Sequence, residues 1–156
     1  MTSQLRDEIQ QTRPFESREH EAFLALIRTA ALLADSLEKV LRPAGVTTAQ
    51  YNVLRILRGS EEGLCRNEVR DRMLTRMPDM TRLLDRMEQA GLVSRTRSTE
   101  DRRVVSTHIT EAGRAVLDKL AGPVSDEHER RLGHLGTERL DALVTLLAQI
   151  RETLPE

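Results

Sequence analysis

Aromatic residues are almost missing from this chain: Phe15, Phe23 and Tyr51 are the whole set among 156 residues, and tryptophan is absent. A core must therefore be made of Leu, Ile, Val, Ala and Met, which suits packed helices better than a β-sandwich rich in β-branched and aromatic residues. Cys65 is the single cysteine, which excludes an internal disulfide and a cysteine-rich metal site. No run approaches the roughly 18 apolar residues that a membrane span needs. The opening stretch MTSQLRDEIQQTRPF is polar and holds no apolar signal-peptide core. The expectation is a cytoplasmic protein of one domain, or one compact module with helical extensions.

Charge, in contrast, is plentiful, at 31% of residues, and nearly balanced, at a net −1. Its distribution says more than its sum. Arg66–Arg103 contains ten basic and seven acidic residues, a net +3, so the remainder carries −4. Only Lys39 and Lys119 are lysines. Guanidinium is the better bidentate donor to phosphates and guanine.

Periodicity lays out the elements. After a weakly helical stretch ending at Pro14, Phe23, Leu26, Ala30, Leu33, Leu37 and Val40 recur in steps of three and four and predict a helix from about Ser17 to Leu41. Pro43 and Gly45 stop it. Thr47 and Gln50 have the spacing of a capping box and open a second helix, which buries Val53, Leu54 and Leu57 and ends at Gly59. A third covers about Arg66 to Leu74. A fourth starts with Pro78 in its first turn and Asp79 at its positive end, and Gly91 closes it. Its apolar face is Met80, Leu83, Leu84 and Met87; its opposite face carries Arg82, Asp85, Arg86 and Gln89, with Thr81 on the flank. The period then changes: Leu92–Arg95 and Val104–Ile109 read as two short strands joined by a polar loop. Thr110 caps a further helix that Gly122–Pro123 should kink or break. A last helix, about Glu138 to Leu154, places Leu140, Leu143, Leu147, Ile150 and Leu154 in heptad steps.

The fold class is thus mostly α with a small β-hairpin wing: a winged helix-turn-helix core plus a helical dimerisation region. The expected division is a flexible N-terminus at 1–15, an N-terminal dimerisation helix at 16–44, a DNA-binding core at 45–112 and C-terminal dimerisation helices at 113–156. That plan sets an amphipathic helix in the major groove and a basic loop beside the minor groove. An Arg-rich helix face alone is often only a solvated surface; the hairpin that follows it gives the face a purpose. Arg82 and Arg86 lie one turn apart and are the best groove candidates, with Thr81 and Gln89 secondary. Asp85 is expected to orient those arginines by ion pairing, and Arg95 to anchor phosphate at the hairpin base.

Residues 80–117, MTRLLDRMEQAGLVSRTRSTEDRRVVSTHITEAGRAVL, resemble the signature of MarR-family regulators. The matching pieces are Met87–Glu88–Gln89–Ala90–Gly91–Leu92–Val93–Ser94–Arg95, then Asp101–Arg102–Arg103, then Thr110–Glu111–Ala112–Gly113. The resemblance implies a homodimer built from the terminal helices, double-stranded palindromic operator DNA as partner, and release by a small ligand or an oxidant. In the wing, Arg103 stands at the Asp-x-Arg position and is expected to enter the minor groove, with Arg102 beside it doubling the local charge and Asp101 holding the loop. Two stretches depart from the family pattern: the third helix, Arg66–Met73, is unusually charged, and Met77–Pro78–Asp79 replaces a Ser/Thr-rich start. The family's peroxide-sensing branch places its cysteine in the first helix beside paired tyrosines, and its urate-responsive branch uses a tryptophan. Cys65 follows the second helix, Tyr51 stands alone and tryptophan is absent, so Cys65 reads as a small buried residue at a helix start. His20, His108, His128 and His134 are too scattered for a metal site. No cofactor is expected, nor an enzyme: there is no phosphate-cradling glycine loop, nucleophile motif or metal-ligand spacing. The competing reading is a winged-helix scaffold that does not read DNA, for which Arg82, Arg86, Arg95 and Arg103 need not form one positive face.

Overall fold

The computed structural model describes residues 4–97 and 105–154. A one-turn α1 (Gln4–Glu8) leads into a bend held by Arg6, whose guanidinium donates to the carbonyls of Gln11 (3.0 Å) and Thr12 (2.6 Å). The long α2 (Arg18–Leu41) begins at Ser17, whose hydroxyl accepts from the His20 N–H at 3.1 Å. One 3-10 turn (Arg42–Ala44) follows, and Gly45, at φ 73°, makes the left-handed exit that other residues resist. The expected capping box opens α3 (Thr48–Arg58): Thr47 Oγ1 accepts from the Gln50 N–H, and Gln50 Oε1 accepts from the Thr47 N–H.

The helix-turn-helix consists of α4 (Arg66–Asp71) and α5 (Met80–Gln89). α4 is shorter than the Arg66–Leu74 expected, because the N–H groups of Arg72 and Met73 turn to carbonyls three residues back and tighten the chain out of the α-helix. Pro78 lies outside α5 rather than in its first turn. Asp79 is the cap, its carboxylate accepting from the Arg82 N–H at 3.0 Å.

Three antiparallel strands form the sheet, β1 (Leu64–Cys65), β2 (Val93–Arg97) and β3 (Val105–Ile109), in the order β1-β3-β2. The wing hairpin pairs Val93 with Ile109 at its base and Arg97 with Val105 at the last described rung. The two-residue β1 had no counterpart in the sequence reading, since Leu64–Cys65 is too short to show alternation. It is held by the pairing of Leu64 with Thr107, and Gly63, at φ 76°, lies beneath the His108 ring, where an added Cβ would come within 2.5 Å of the imidazole.

Of the kink or break expected at Gly122–Pro123, the break does not occur: α6 (Glu111–Leu132) continues through Pro123. A proline inside a helix costs ~3 kcal/mol, whereas each buried leucine contributes ~1.5–3. Leu117 and Leu120 before Pro123, and Val124 after it, are all buried, so packing outweighs the lost hydrogen bond. Lys119 and Pro123 are both exposed, which leaves the freed Lys119 carbonyl to water. A second 3-10 turn (Gly133–Leu135) leads to α7 (Gly136–Glu152).

The main core joins Val53, Leu54 and Leu57 of α3 to Val69, Met80, Leu84, Met87, Val93, Ile109 and Leu117. A smaller cluster of Leu41, Val46, Leu120 and Val124 ties α2 to α6, and Tyr51, Leu92 and Val116 touch both. Beyond it, the buried Glu127 of α6 accepts from the Ser36 hydroxyl of α2, from Arg131 Nε at 2.8 Å and from Arg130 Nε at 2.9 Å. These bonds, led by the Ser36 hydroxyl, hold its carboxyl down at a pKa of about 2.

Candidate nucleic-acid interface

α5 divides cleanly. Met80, Leu84 and Met87 are buried and Leu83 is half-buried, while Thr81, Arg82, Arg86 and Gln89 face solvent. Arg82 and Arg86 are exposed and make no ion pair among the described residues. Thr81 is engaged: Arg66 Nη1 donates to its hydroxyl at 3.0 Å. Arg66 escaped the sequence reading because nothing in helical periodicity links positions fifteen apart; only the packing of α4 on α5 brings them together.

Asp85 and Arg95 depart from expectation together. Arg95 of β2 is half-buried, and its Nη2 lies 2.6 Å from Asp85 Oδ1 and 2.5 Å from Glu88 Oε2, which Nε also reaches at 2.8 Å. Hydrogen bonding to Glu88 raises the Arg95 pKa, and Asp85 adds to it. The ion pairing expected of Asp85 is therefore made to the wing strand, not to Arg82 or Arg86. A cleft of about 520 Å³ lies beside this bridge, lined by Cys65, Arg66, Asn67, Thr81, Leu84, Arg95, Val105 and Thr107.

The wing's outer residues Asp101, Arg102 and Arg103 lie outside the described residues. At the near end of the hairpin, Arg97 on β2 is exposed. At its base, the motif residues Thr110 and Gly113 serve the fold. Thr110 Oγ1 caps α6 through the Gly113 N–H and donates to the Gly91 carbonyl at 2.6 Å. A Cβ at Gly113 would lie 2.4 Å from the Leu92 carbonyl oxygen. The motif thus encodes the junction of α5, β2 and α6.

Cys65 is half-buried rather than buried, at the start of α4, where its N–H donates to Glu68 Oε2 at 2.7 Å and holds that carboxyl below its ordinary range. Among the described residues, no three His, Cys, Asp or Glu side chains are grouped to hold a metal ion, and no helix is long and apolar enough to cross a membrane.

A family model described as the MarR family matches residues 44–104. The HTH-type transcriptional repressor MdtR of Bacillus subtilis (strain 168) is 32% identical over 124 residues, covering 78% of this chain and 77% of that protein. The chain belongs to the MarR family. It is accordingly a DNA-binding transcription regulator and not an enzyme. Among solved MarR-family structures, the MarR transcription factor from Planctomyces limnophilus is 40% identical, with a TM-score of 0.67 over 87% of this chain and 99% of that one. The transcriptional repressor CouR, solved on a 23-mer DNA duplex, is 32% identical, with a TM-score of 0.74 over 82% of this chain and 90% of that one.

Proposed function

We propose that this MarR-family chain is a cytoplasmic, homodimeric repressor that reads a pseudo-palindromic operator and leaves it when a small ligand binds. The observation that carries the reading is the outer face of α5, where Arg82 and Arg86 are exposed above a buried apolar face and make no ion pair among the described residues. Two guanidinium groups one turn apart reach one major groove, and bidentate contacts to guanine are the commonest specific use of arginine there. CouR on its DNA duplex supports the docking mode. The same repressor bound to p-coumaroyl-CoA, 30% identical to this chain, supports release by a small molecule.

In this reading residues 45–112 bind DNA, while 16–44 and 113–156 build the dimer beyond the N-terminal 1–15. Two copies then set their α5 helices one DNA turn apart, ~34 Å. Gln89 and Thr81 are secondary contacts. In the wing, Arg103 enters the minor groove, whose potential is most negative over A·T-rich steps, Arg102 beside it adds to the local charge, and Asp101 holds the loop by accepting hydrogen bonds from its backbone or from Arg103.

The test uses a duplex selected by the wild-type protein from a randomised library, beside a random-sequence duplex. Arg82→Ala should weaken binding to the selected duplex by ~1–3 kcal/mol and relax preference at one base position. Equal losses on both duplexes would move Arg82 to the phosphate backbone. No loss on either would overturn the groove reading.

A further inference from the structure

Asp85 and Glu88 present two carboxylates on the helix that is to enter a polyanion. Left to themselves they would repel phosphate and cancel the charge of Arg82 and Arg86 beside them. Arg95 meets both, through Nη2 at 2.6 Å from Asp85 and through Nη2 and Nε, at 2.5 and 2.8 Å, on one oxygen of Glu88. We propose that Arg95 is a positioning residue, a clamp that joins α5 to the first wing strand and neutralises the helix's own carboxylates, and that it makes no contact with DNA. This rests on α5 being the groove helix.

Three features support the assignment. First, one edge of the fork is occupied: Nε and Nη2 both point at carboxylate oxygens, so that edge is closed to a bidentate phosphate contact. Second, the Arg95 side chain is 26% exposed, less than Asp85 at 45% or Glu88 at 38%, so the guanidinium is the less accessible partner in both pairs. Third, the bridge crosses elements. Glu88 lies in the last turn of α5 and Arg95 at the middle of β2, paired with Thr107 of β3. One guanidinium therefore fixes the angle between the helix destined for the major groove and the hairpin destined for the minor groove. Arginine suits this role better than lysine, because a rigid planar fork holds two carboxylates at fixed angles whereas an ammonium is a rotatable point charge.

The clamp and a phosphate contact predict opposite outcomes when the carboxylates are also removed. Arg95→Met, Asp85→Asn with Glu88→Gln, and the triple variant would be titrated against the library-selected duplex over a range of salt, with thermal melts confirming each fold. The clamp predicts at least a tenfold loss for Arg95→Met, because two carboxylates then face DNA uncompensated. It predicts recovery of most of that loss in the triple variant, with a wild-type salt slope. A triple variant as weak as Arg95→Met, its slope reduced by close to one unit per subunit, would make Arg95 a phosphate contact and overturn the clamp. Arg82→Ala in the same titration separates the two readings. Loss there with none in Arg95→Met overturns the clamp alone; loss in neither overturns the groove reading beneath it.

Discussion

Glu127 is the residue whose charge is most tightly bound to the fold. It is buried on α6, and its carboxylate gathers Ser36 from α2 and two arginines from its own helix. A carboxyl held at about 2 against an ordinary 4.5 takes up a proton more readily in the unfolded chain than in the folded one. Its contribution to stability is therefore complete above the ordinary value and is lost as pH falls from there through about 2. Glu127→Gln keeps the shape but not the charge. The variant should be less stable than wild type near pH 7, and the gap in urea midpoint should narrow steadily as pH drops below about 4. A gap that stays constant down to about pH 2 would mean that hydrogen bonding or packing, not ionisation, carries the difference. Nothing in the sequence marked Glu127, because Ser36 lies 91 positions away and an acidic residue in a charged helix looks like surface.

At the scale of elements, the helices were legible wherever a side chain closes their first turn. Ser17, Thr47, Asp79 and Thr110 each accept a backbone N–H at the start of α2, α3, α5 and α6. Such caps are local chemistry, and a sequence displays local chemistry directly. The places that read wrongly depend on distant partners. β1 exists because β3 is there to pair with it, and α6 continues through Pro123 because α2 and α3 reward the continuation. The outward arginines of α5 were legible from periodicity, whereas the capture of Asp85 by Arg95 required the hairpin to fold back over the helix. Pro123 offers a test of this balance. It breaks a hydrogen bond in a helix that forms anyway, so Pro123→Ala should restore the Lys119 carbonyl's partner and stabilise the protein by ~1–2 kcal/mol. That is less than the full ~3 kcal/mol helix penalty, since proline also restrains the unfolded chain. A thermal melt would show a raised midpoint; a lowered one would mean that α6 depends on a bend at this position.

Taken whole, one copy of the chain leaves apolar surface that a folded protein cannot easily tolerate. No residue of α7 is buried: Val144, Leu146 and Ile150 are 63%, 57% and 42% exposed, and Leu154 just beyond it is 60% exposed. The first half of α2 matches it, with Phe23 at 62% and Ile27 at 54%, while its second half packs Leu37, Val40 and Leu41 against the chain's own core. A helix of seventeen residues is marginal in water without a packed face. At ~1.5–3 kcal/mol for each large apolar side chain buried, four or five of them supply what α7 lacks. Among the described residues no further apolar element covers them, and a second copy brings the same two helices. Light scattering should therefore report about twice the 17.7 kDa chain mass. Val144→Asp, placed on the exposed face of α7 and far from α5, should drive the mass toward one chain and abolish the rise of the melting midpoint with protein concentration that a dimer shows. Because one winged-helix core then grips only a half-site, the same variant should lose most preference for a selected palindrome while keeping the weak, salt-sensitive affinity for random DNA that its arginines supply. A wild-type chain that scatters as a monomer at micromolar concentration would overturn both the dimer and the palindrome.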